Sequence, residues 1–348
     1  MSVSPDPTSS AHLALDAVMF RVGMTAVTRG DVKRWAERFD PAFARRVARR
    51  AALGALELDD DASLAADVET VAADFRYARE LESAESLMRW LSVRGLTVDG
   101  WWEALRRNVL ETRFAGMEGP PESARSIDGS GGEDADEETE LADLFVAELL
   151  GPAQDALARR MAVARSVDQG AEREAASAVE AAADTGTSPL DARDDALEAL
   201  WGPWRAAILT ESALQQAVDR ERLPWLVFDL EQSSWPSENS AREAVWCVRD
   251  DGQELVDVAR AAGARIVVST HLLSDLPRDL HDALLTAAPG EVVGPVAQAP
   301  RWVVVRVRAK RPPTLADPLV RAAASAAVET RVVAPLLAQY VTDRERGA

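Results

Sequence analysis

The sequence has one cysteine, only 5% aromatic residues, and no apolar run near the roughly 18 residues that a membrane-spanning helix needs. The single thiol, Cys247, cannot form a disulfide within the chain, which agrees with a reducing compartment. The stretch from Met1 to Ser10 is polar and lacks the basic start and apolar segment of a secretory signal. These absences predict a cytoplasmic protein with no membrane partner.

Basic residues are also scarce, with 39 Lys and Arg against 58 Asp and Glu and a formal charge of −19. Binding to nucleic-acid phosphates depends on clustered Lys and Arg, so DNA and RNA are not expected as partners. The acidic excess is local: residues 118–195 hold 20 acids against 6 Arg, a net of −14, and the other 270 residues carry −5. The exclusion of nucleic acid therefore depends on the absence of a basic stripe more than on the bulk charge.

The motifs of several enzyme classes are missing. No Walker loop, dinucleotide glycine fingerprint or nucleophile elbow occurs, so a nucleotide cofactor is not expected. His271 and His281 lie among three aspartates, but their spacing matches no metal signature, and surface histidines are favoured over a metal site or proton shuttle. Cys247 lies in an apolar stretch, which favours a small buried side chain over a catalytic thiol. We expect no cofactor and no metal.

The length of the chain and its 47% hydrophobic residues allow two or three domains. Changes in composition along the chain divide it into segments. The expected order is a disordered tail (1–11), a helical domain (12–117), an acidic flexible linker (118–138) that acts as a tether, a helical connector (139–221), a small α/β domain (222–311) and a C-terminal helix (312–348).

Capping residues predict where helices begin in the first domain. Residues 17–27 alternate like one short strand and end at Thr28, which forms a capping box with Asp31. Asp40 precedes a proline at the first helical position, and Thr97 precedes a third helix. Apolar residues at helical spacing predict packing between these helices: Leu91, Leu96, Trp102, Leu105, Val109 and Leu110.

The later elements follow from periodicity and turn residues. One helix is expected at 139–165 and another at 189–218. From residue 222 the pattern predicts a strand (223–230), two helices (240–248 and 253–262), a strand (263–269), a helix (276–287), two strands (292–296 and 302–307) and a last helix (317–342). The order β-α-α-β-α-β-β is that of one small domain.

Two runs of residues carry a family resemblance. The run from Leu280 through Pro289-Gly-Glu-Val-Val-Gly-Pro-Val296, followed by Trp302-Val-Val-Val-Arg-Val307, resembles the C-terminal half of parvulin-type peptidyl-prolyl isomerase domains. Residues Val22 to Asp31 and the helix after Arg94 are similar to a SurA-type chaperone domain. The resemblance implies an α+β protein: a SurA-like helical module with one leading strand, a parvulin-like α/β domain and a long C-terminal helix. The arrangement of the chain also resembles that of accessory factors of bacterial peptide-maturation systems.

The resemblance implies a site whose polar members have been replaced. Tryptophans stand at the positions of the family's paired histidines, leucines at its Met and Phe pocket positions, and alanine at its supporting threonine. The loop with the family's Gly-Gly-Asp-Leu-Gly signature is reduced to Ser269–Ser274. The implied peptide-binding residues are Trp225, Phe228, Leu276, Leu280, Ala297 and Trp302, with no catalytic residue among them.

Two aromatic pairs leave alternatives open. Trp225 and Trp302 form either an aromatic platform for an extended peptide or, as we favour, packed core. Trp101 and Trp102 pack the N-terminal helices or, less favoured, grip client peptides.

Three functions remain as hypotheses. The leading one is a SurA/parvulin-like peptide-binding chaperone or accessory factor with a degenerate isomerase site, whose partners are an unfolded or precursor peptide and a maturation enzyme. The alternative is an active prolyl isomerase or peptide-modifying enzyme with a shifted site near His271 and Asp229. The third is a structural subunit that binds a partner enzyme through exposed helices.

Overall fold

The computed structural model describes residues 15–56, 62–114, 141–167, 188–298 and 301–342. The tail and the acidic linker predicted from sequence lie outside these ranges, and the other segment boundaries stay a prediction. The contacts divide the chain into two compact units, one formed by Met1–Trp201 with Val333–Ala348 and one by Gly202–Val332. The fold is α+β with two antiparallel sheets, which confirms the predicted class.

The first unit begins with a hairpin. Strand β1 (Val18–Val22) pairs with β2 (Thr25–Thr28), and a short C-terminal strand, β7 (Val341–Thr342), joins on the other side of β1. One continuous strand over 17–27 was predicted, which is wrong. Gly23 reverses the chain with a φ of 58°, a left-handed conformation that glycine adopts without a steric cost.

Helices fill the rest of the first unit, and three of the predicted starts are confirmed. Thr28 and Asp31 form the capping box, Asp40 caps the next helix, and Thr97 caps the fifth. The helices are α1 (Arg29–Phe39), α2 (Pro41–Gly54), α3 (Ala62–Ala78), α4 (Ala84–Val93), α5 (Val98–Arg113) and α6 (Leu150–Val167). A short helical turn at 141–146 precedes α6.

Two helices predicted as continuous are interrupted. The helix expected at 139–165 breaks at 147–149, where Glu148 has a φ of 51°. The helix expected at 189–218 is α7 (Pro189–Ile208) followed by α8 (Glu211–Arg220). Thr210 interrupts it because its side chain accepts a hydrogen bond from the Ala213 amide and starts a new helix.

Buried charges hold the helices of the first unit together. Arg50 is fully buried on α2 and donates to Asp143 (2.8 Å) and to the Ala104 carbonyl (3.0 Å). Arg107 on α5 donates to the same Asp143 oxygen at 3.0 Å. The network therefore joins α2, α5 and the 141–146 turn. Trp101 is buried beside Phe75 (ring centroids 5.9 Å apart), as expected of a packing residue.

Trp102, the next residue along the helix, is less buried than Trp101. Trp102 was expected to pack with the helices, but 38% of its surface is exposed. It follows Trp101 directly along α5, so its side chain leaves the helix about 100° away from the buried Trp101.

The second unit is built on one four-stranded antiparallel sheet with the order β4-β3-β6-β5. Its strands are β3 (Val227–Trp235), β4 (Arg265–Leu272), β5 (Val292–Gln298) and β6 (Arg301–Arg311). Its helices are α9 (Glu238–Arg249), α10 (Leu255–Ala261), α11 (Arg278–Thr286) and α12 (Pro318–Tyr340), whose end lies in the first unit. This order matches the prediction, although β3 begins four residues later than expected because residues 221–225 form a turn.

Side chains alternate between the two faces of this sheet. On β6, Val303, Val305 and Val307 belong to a core cluster with α11, which we call the α11 face. Val304 between them belongs to a cluster with α9 and α10 on the opposite face. The implied peptide site belongs to the α11 face, because the resemblance places its pocket positions at Leu276 and Leu280.

Candidate functional site

The α11 face is entirely hydrophobic at its centre. Leucines spaced four residues apart bring one side of the 276–286 segment against the sheet, where they meet alternate residues of the two central strands. The buried members include Phe228, Leu230, Leu276, Leu280, Leu284, Val303 and Val305. The packing leaves no exposed pocket at Phe228 or Leu280, whose exposures are 0% and 1%.

The structure brings only three of the six site residues together. Phe228, Leu276 and Leu280 share the α11-face cluster. Trp225 lies in another cluster, with side chains of α8 and α12. Ala297 is exposed on β5 and pairs with the backbone of Trp302.

The two tryptophans do not form a platform. Trp225 precedes β3, whose first residue pairs with Arg311, whereas Trp302 pairs with Trp235 at the other end of the same ladder. Trp225 is 7% exposed, in agreement with the packed-core alternative. The geometry therefore favours the packed-core alternative for Trp225 over a shared aromatic platform.

A single-residue register change explains the error at Trp302. This residue is half-buried against the cluster that holds Trp235, on the face away from α11. Its neighbour Val303 lies on the α11 face. Because a shift of one residue moves every side chain of a strand to the other face, Val303 is the residue beside the leucine pocket. The sequence holds no signal for this choice, because residues 302–305 are all hydrophobic.

Polar residues flank the hydrophobic centre in one row across three strands. Phe228 pairs with His271 on β4 and with Lys310 on β6. His271 Nε2 lies 2.8 Å from Ser269 Oγ, so this side chain is half-buried and bonded rather than a free surface histidine.

Lys310 is a residue that sequence reasoning missed. Its Nζ donates to the carbonyls of Leu284 (3.4 Å) and Leu285 at the end of α11, and it lies 5.7 Å from the Phe228 ring centroid. A cation at the C-terminal carbonyls of a helix is favourable, so Lys310 fixes α11 to the sheet. His281 Nε2 similarly lies 2.8 Å from the Leu276 carbonyl.

Asp229 and His271 do not form a shared site. Asp229 pairs with Thr270, whose hydroxyl donates to it at 2.8 Å, and His271 pairs with Phe228. Since adjacent strand residues point to opposite faces, the carboxylate and the imidazole lie on different sides of the sheet. The shifted site expected near this pair is therefore not assembled.

The environment of Asp229 keeps it ionised. Burial acts to raise the pKa of its carboxyl, but hydrogen bonds from Thr270 and Arg311 (3.0 Å) together bring the pKa below its ordinary value. Arg311 also donates to Asp317 at 3.2 Å. A carboxylate held this way suits an ion pair better than proton transfer at neutral pH.

An open pocket lies away from the α11-face cluster. It has a volume of about 390 Å³ and is lined by Val248, Arg249, Gly290, Glu291 and Val292. Trp246 lies one helical turn before Arg249 on α9 and is 61% exposed.

Cys247 and the possible metal-binding side chains were the remaining candidates for a site among the described residues. Cys247 is half-buried rather than fully buried. Within the described ranges, no three His, Cys, Asp or Glu side chains come together in a way that could hold a metal ion. No helix of the described residues is long and apolar enough to cross a membrane.

Comparison with known proteins identifies one part of the chain. Residues 236–322, a quarter of the sequence, match the family model of the PPIC-type PPIASE domain. A search of the curated proteins and a search of the solved structures each found no match. The matched residues include Leu276 and Leu280 but begin after Trp225 and Phe228. The segment from α9 to the start of α12 is thus similar to the PPIC-type PPIASE domain and is parvulin-like.

Proposed function

We propose that this protein binds unfolded or precursor peptides through its parvulin-like domain and has no efficient prolyl isomerase site. One observation carries the proposal: the segment that matches the PPIC type buries Leu280 and Val303 at the centre of the α11 face, against Phe228 of the preceding strand β3. The chaperone role and the part in peptide maturation belong to the same proposal.

The chemistry of isomerisation supports the loss of activity. Rotation about a prolyl bond crosses a barrier of about 20 kcal/mol, and an enzyme lowers it by stabilising the twisted amide. Fixed polar groups aimed at the reacting amide provide such stabilisation. The buried members of the leucine cluster are all apolar, and Phe228 and Leu280 at its centre are only 0% and 1% exposed.

Peptide contact then falls on exposed apolar groups of the same domain. Trp246 is an exposed aromatic side chain of this domain, and it precedes Arg249, which lines the pocket with Glu291, by one helical turn. An aromatic anchor beside a pocket of mixed charge is typical of a peptide contact surface. Phe228, Leu276 and Leu280 lie on the opposite face of the sheet, in the α11-face core.

Fluorescence anisotropy with labelled unstructured peptides tests the proposal. Peptides with Xaa-Pro and with Xaa-Ala at the same position should bind equally, since no proline pocket is open. Trp246→Ala should weaken binding at least about tenfold, equivalent to ~1.4 kcal/mol. Leu223→Ala, at a residue with 57% exposure outside the pocket, is the matched control and should leave affinity unchanged. Absence of binding at high micromolar protein would contradict the proposal.

An active isomerase is the second candidate, favoured by the position of His271. This imidazole lies opposite Phe228 on the α11 face and beside Ser269. A protease-coupled isomerisation assay decides between the candidates. The leading proposal expects the rate of buffer alone for wild type and for His271→Ala. A catalytic rate in wild type that His271→Ala removes and His281→Ala keeps would establish the enzyme instead.

A further inference from the structure

The two edges of the four-stranded sheet are built differently. At the β5 edge, Pro295 has no amide hydrogen to offer a new strand, and the register shifts between Val293 and Val296. At the β4 edge, eight consecutive residues pair with β3 without a shift or a proline. One edge therefore resists the addition of a strand, and the other is regular enough to accept one.

The β4 edge also exposes apolar side chains. Val267 is 41% exposed and Val268 is 58% exposed, at the middle of the strand. Natural edge strands are usually protected at such places by lysine, glutamate or proline. The only charged residue of β4 is Arg265, at its first position.

The charges along this edge complement those of an identical strand in the opposite direction. Arg265 is the first residue of β4, and Asp275 lies three residues after its end. The backbone between β4 and Asp275 still follows the segment that leads into β3, because the amides of Leu273 and Ser274 donate to the carbonyls of Leu226 and Pro224. Both charged side chains are exposed. Antiparallel pairing about a two-fold axis at Thr270 would place each Arg265 opposite the partner's Asp275.

Net charge does not oppose such an approach of two copies. The acidic excess of the chain lies mostly at residues 118–195, whereas residues 202–332 contain 15 Lys and Arg against 17 Asp and Glu, a net of −2. Self-repulsion between two copies of the second unit is correspondingly small.

We propose that the β4 edge binds the β4 edge of a second copy of this chain, so that two four-stranded sheets form one continuous antiparallel sheet. Main-chain hydrogen bonds supply the attraction, the exposed valines become partly covered, and the Arg265 and Asp275 ends fix the antiparallel direction. The contact is small, so association in the micromolar range is expected.

Sedimentation equilibrium of the full chain from low to high micromolar concentration tests the interface. Wild type should rise from the monomer mass of 37.6 kDa to twice that value. Val268→Lys introduces an edge charge at an exposed position and should raise the dimer dissociation constant at least tenfold. Val93→Lys, at a valine with 67% exposure on α4, adds the same charge elsewhere and should leave the dimer intact. Circular dichroism confirms that each variant is folded.

A charge exchange tests the direction of pairing. Arg265→Asp alone and Asp275→Arg alone should each weaken the dimer, because each puts like charges at the ends of the paired strands. The double variant should restore it, since the exchanged charges are again complementary. Failure of the double variant to recover would overturn the antiparallel arrangement.

A monomer at every concentration, or a dimer that Val268→Lys leaves unchanged, would overturn the proposal. Peptide binding that is lost in Val268→Lys while the protein stays monomeric would assign this edge to a peptide instead. The dimer and the proposed peptide surface are separable, because Trp246→Ala should reduce peptide affinity without changing the mass.

Discussion

Among the described residues, the first unit places Arg50, Arg107, Asp143 and Asp194 in its interior, whereas the buried polar residue of the second unit is the uncharged Ser233. The charges of the second unit form pairs near the surface, as Arg311 does with Asp229. The same chain therefore specifies one unit with buried ions and the other without them.

The difference follows from how helices and strands fix their positions relative to their neighbours. Apolar helix faces can slide past one another with little change in buried area, and a network with fixed geometry, such as Arg50 and Arg107 on Asp143, selects one arrangement. A sheet with buried faces fixes its register through its side-chain pattern, because a slip of one residue moves every side chain to the other face, and it needs no such device. We infer that the hydrophobic α11 face is sufficient for folding, so a catalytic polar group there would be present for function and not for stability.

The largest effect should come from the buried network. Asp143→Ala removes the carboxylate to which both Arg50 and Arg107 donate, and loss of one partner of a buried ion pair costs about 3 to 5 kcal/mol in the free energy of unfolding. Urea unfolding followed by circular dichroism measures it. Glu85→Ala is the control, because its pair with Arg89 is exposed and should contribute only about 0.5 kcal/mol. A similar small loss in both variants would remove the contrast between the units.

The second unit should respond to lost apolar volume instead. Leu280→Ala removes a fully buried side chain of the α11 face and should lower the free energy of unfolding by about 3 kcal/mol, through lost burial and the cavity left behind. Leu319→Ala, at a residue with 37% exposure on α12, should cost less than about 1 kcal/mol. Equal costs would mean that the α11 cluster relaxes to fill the space.

A backbone constraint at the bulged edge should come next. Gly294 has a φ of 124°, and a Cβ there would approach the Val303 carbonyl oxygen to 2.9 Å. Gly294→Ala should therefore cost about 1 to 3 kcal/mol, measured by the same unfolding experiment. Gly202→Ala places its Cβ in open space on α7 and should be neutral or stabilising by up to about 1 kcal/mol. If both substitutions are neutral, the bulge is not held by this close approach.

Local signals predicted more of this structure than long-range ones. Thr28, Asp40 and Thr97 were readable as helix caps because a cap is a hydrogen bond within three residues of sequence. The break near Glu148 was not readable, because that residue adopts a left-handed conformation without the usual glycine.

The site was predicted less well because strand faces depend on register. The α11 leucines follow from helical spacing, so Leu276 and Leu280 were found. Whether Trp302 or Val303 faces them depends on a shift of one residue, which the hydrophobic run 302–305 does not settle. The bond from Lys310 to the end of α11 joins distant residues and has no local signature.

The smallest effect should be a pair of opposite pH dependences. Burial raises the pKa of Asp194 although Arg193 and Arg34 act to lower it, so its ionisation costs stability in the folded first unit. Burial is outweighed at Asp229, where Thr270 and Arg311 lower the pKa.

The signs of these two dependences are therefore opposite. Compared with Asp194→Asn, wild type should lose stability as pH rises through the raised pKa of Asp194. Compared with Asp229→Asn, wild type should keep its advantage above the ordinary value of 3.8 and lose it as pH falls through the lowered pKa. Urea unfolding of each variant beside wild type across acidic to neutral pH gives both slopes. Slopes of the same sign would show that burial, and not the hydrogen-bonding partner, decides the ionisation of both aspartates.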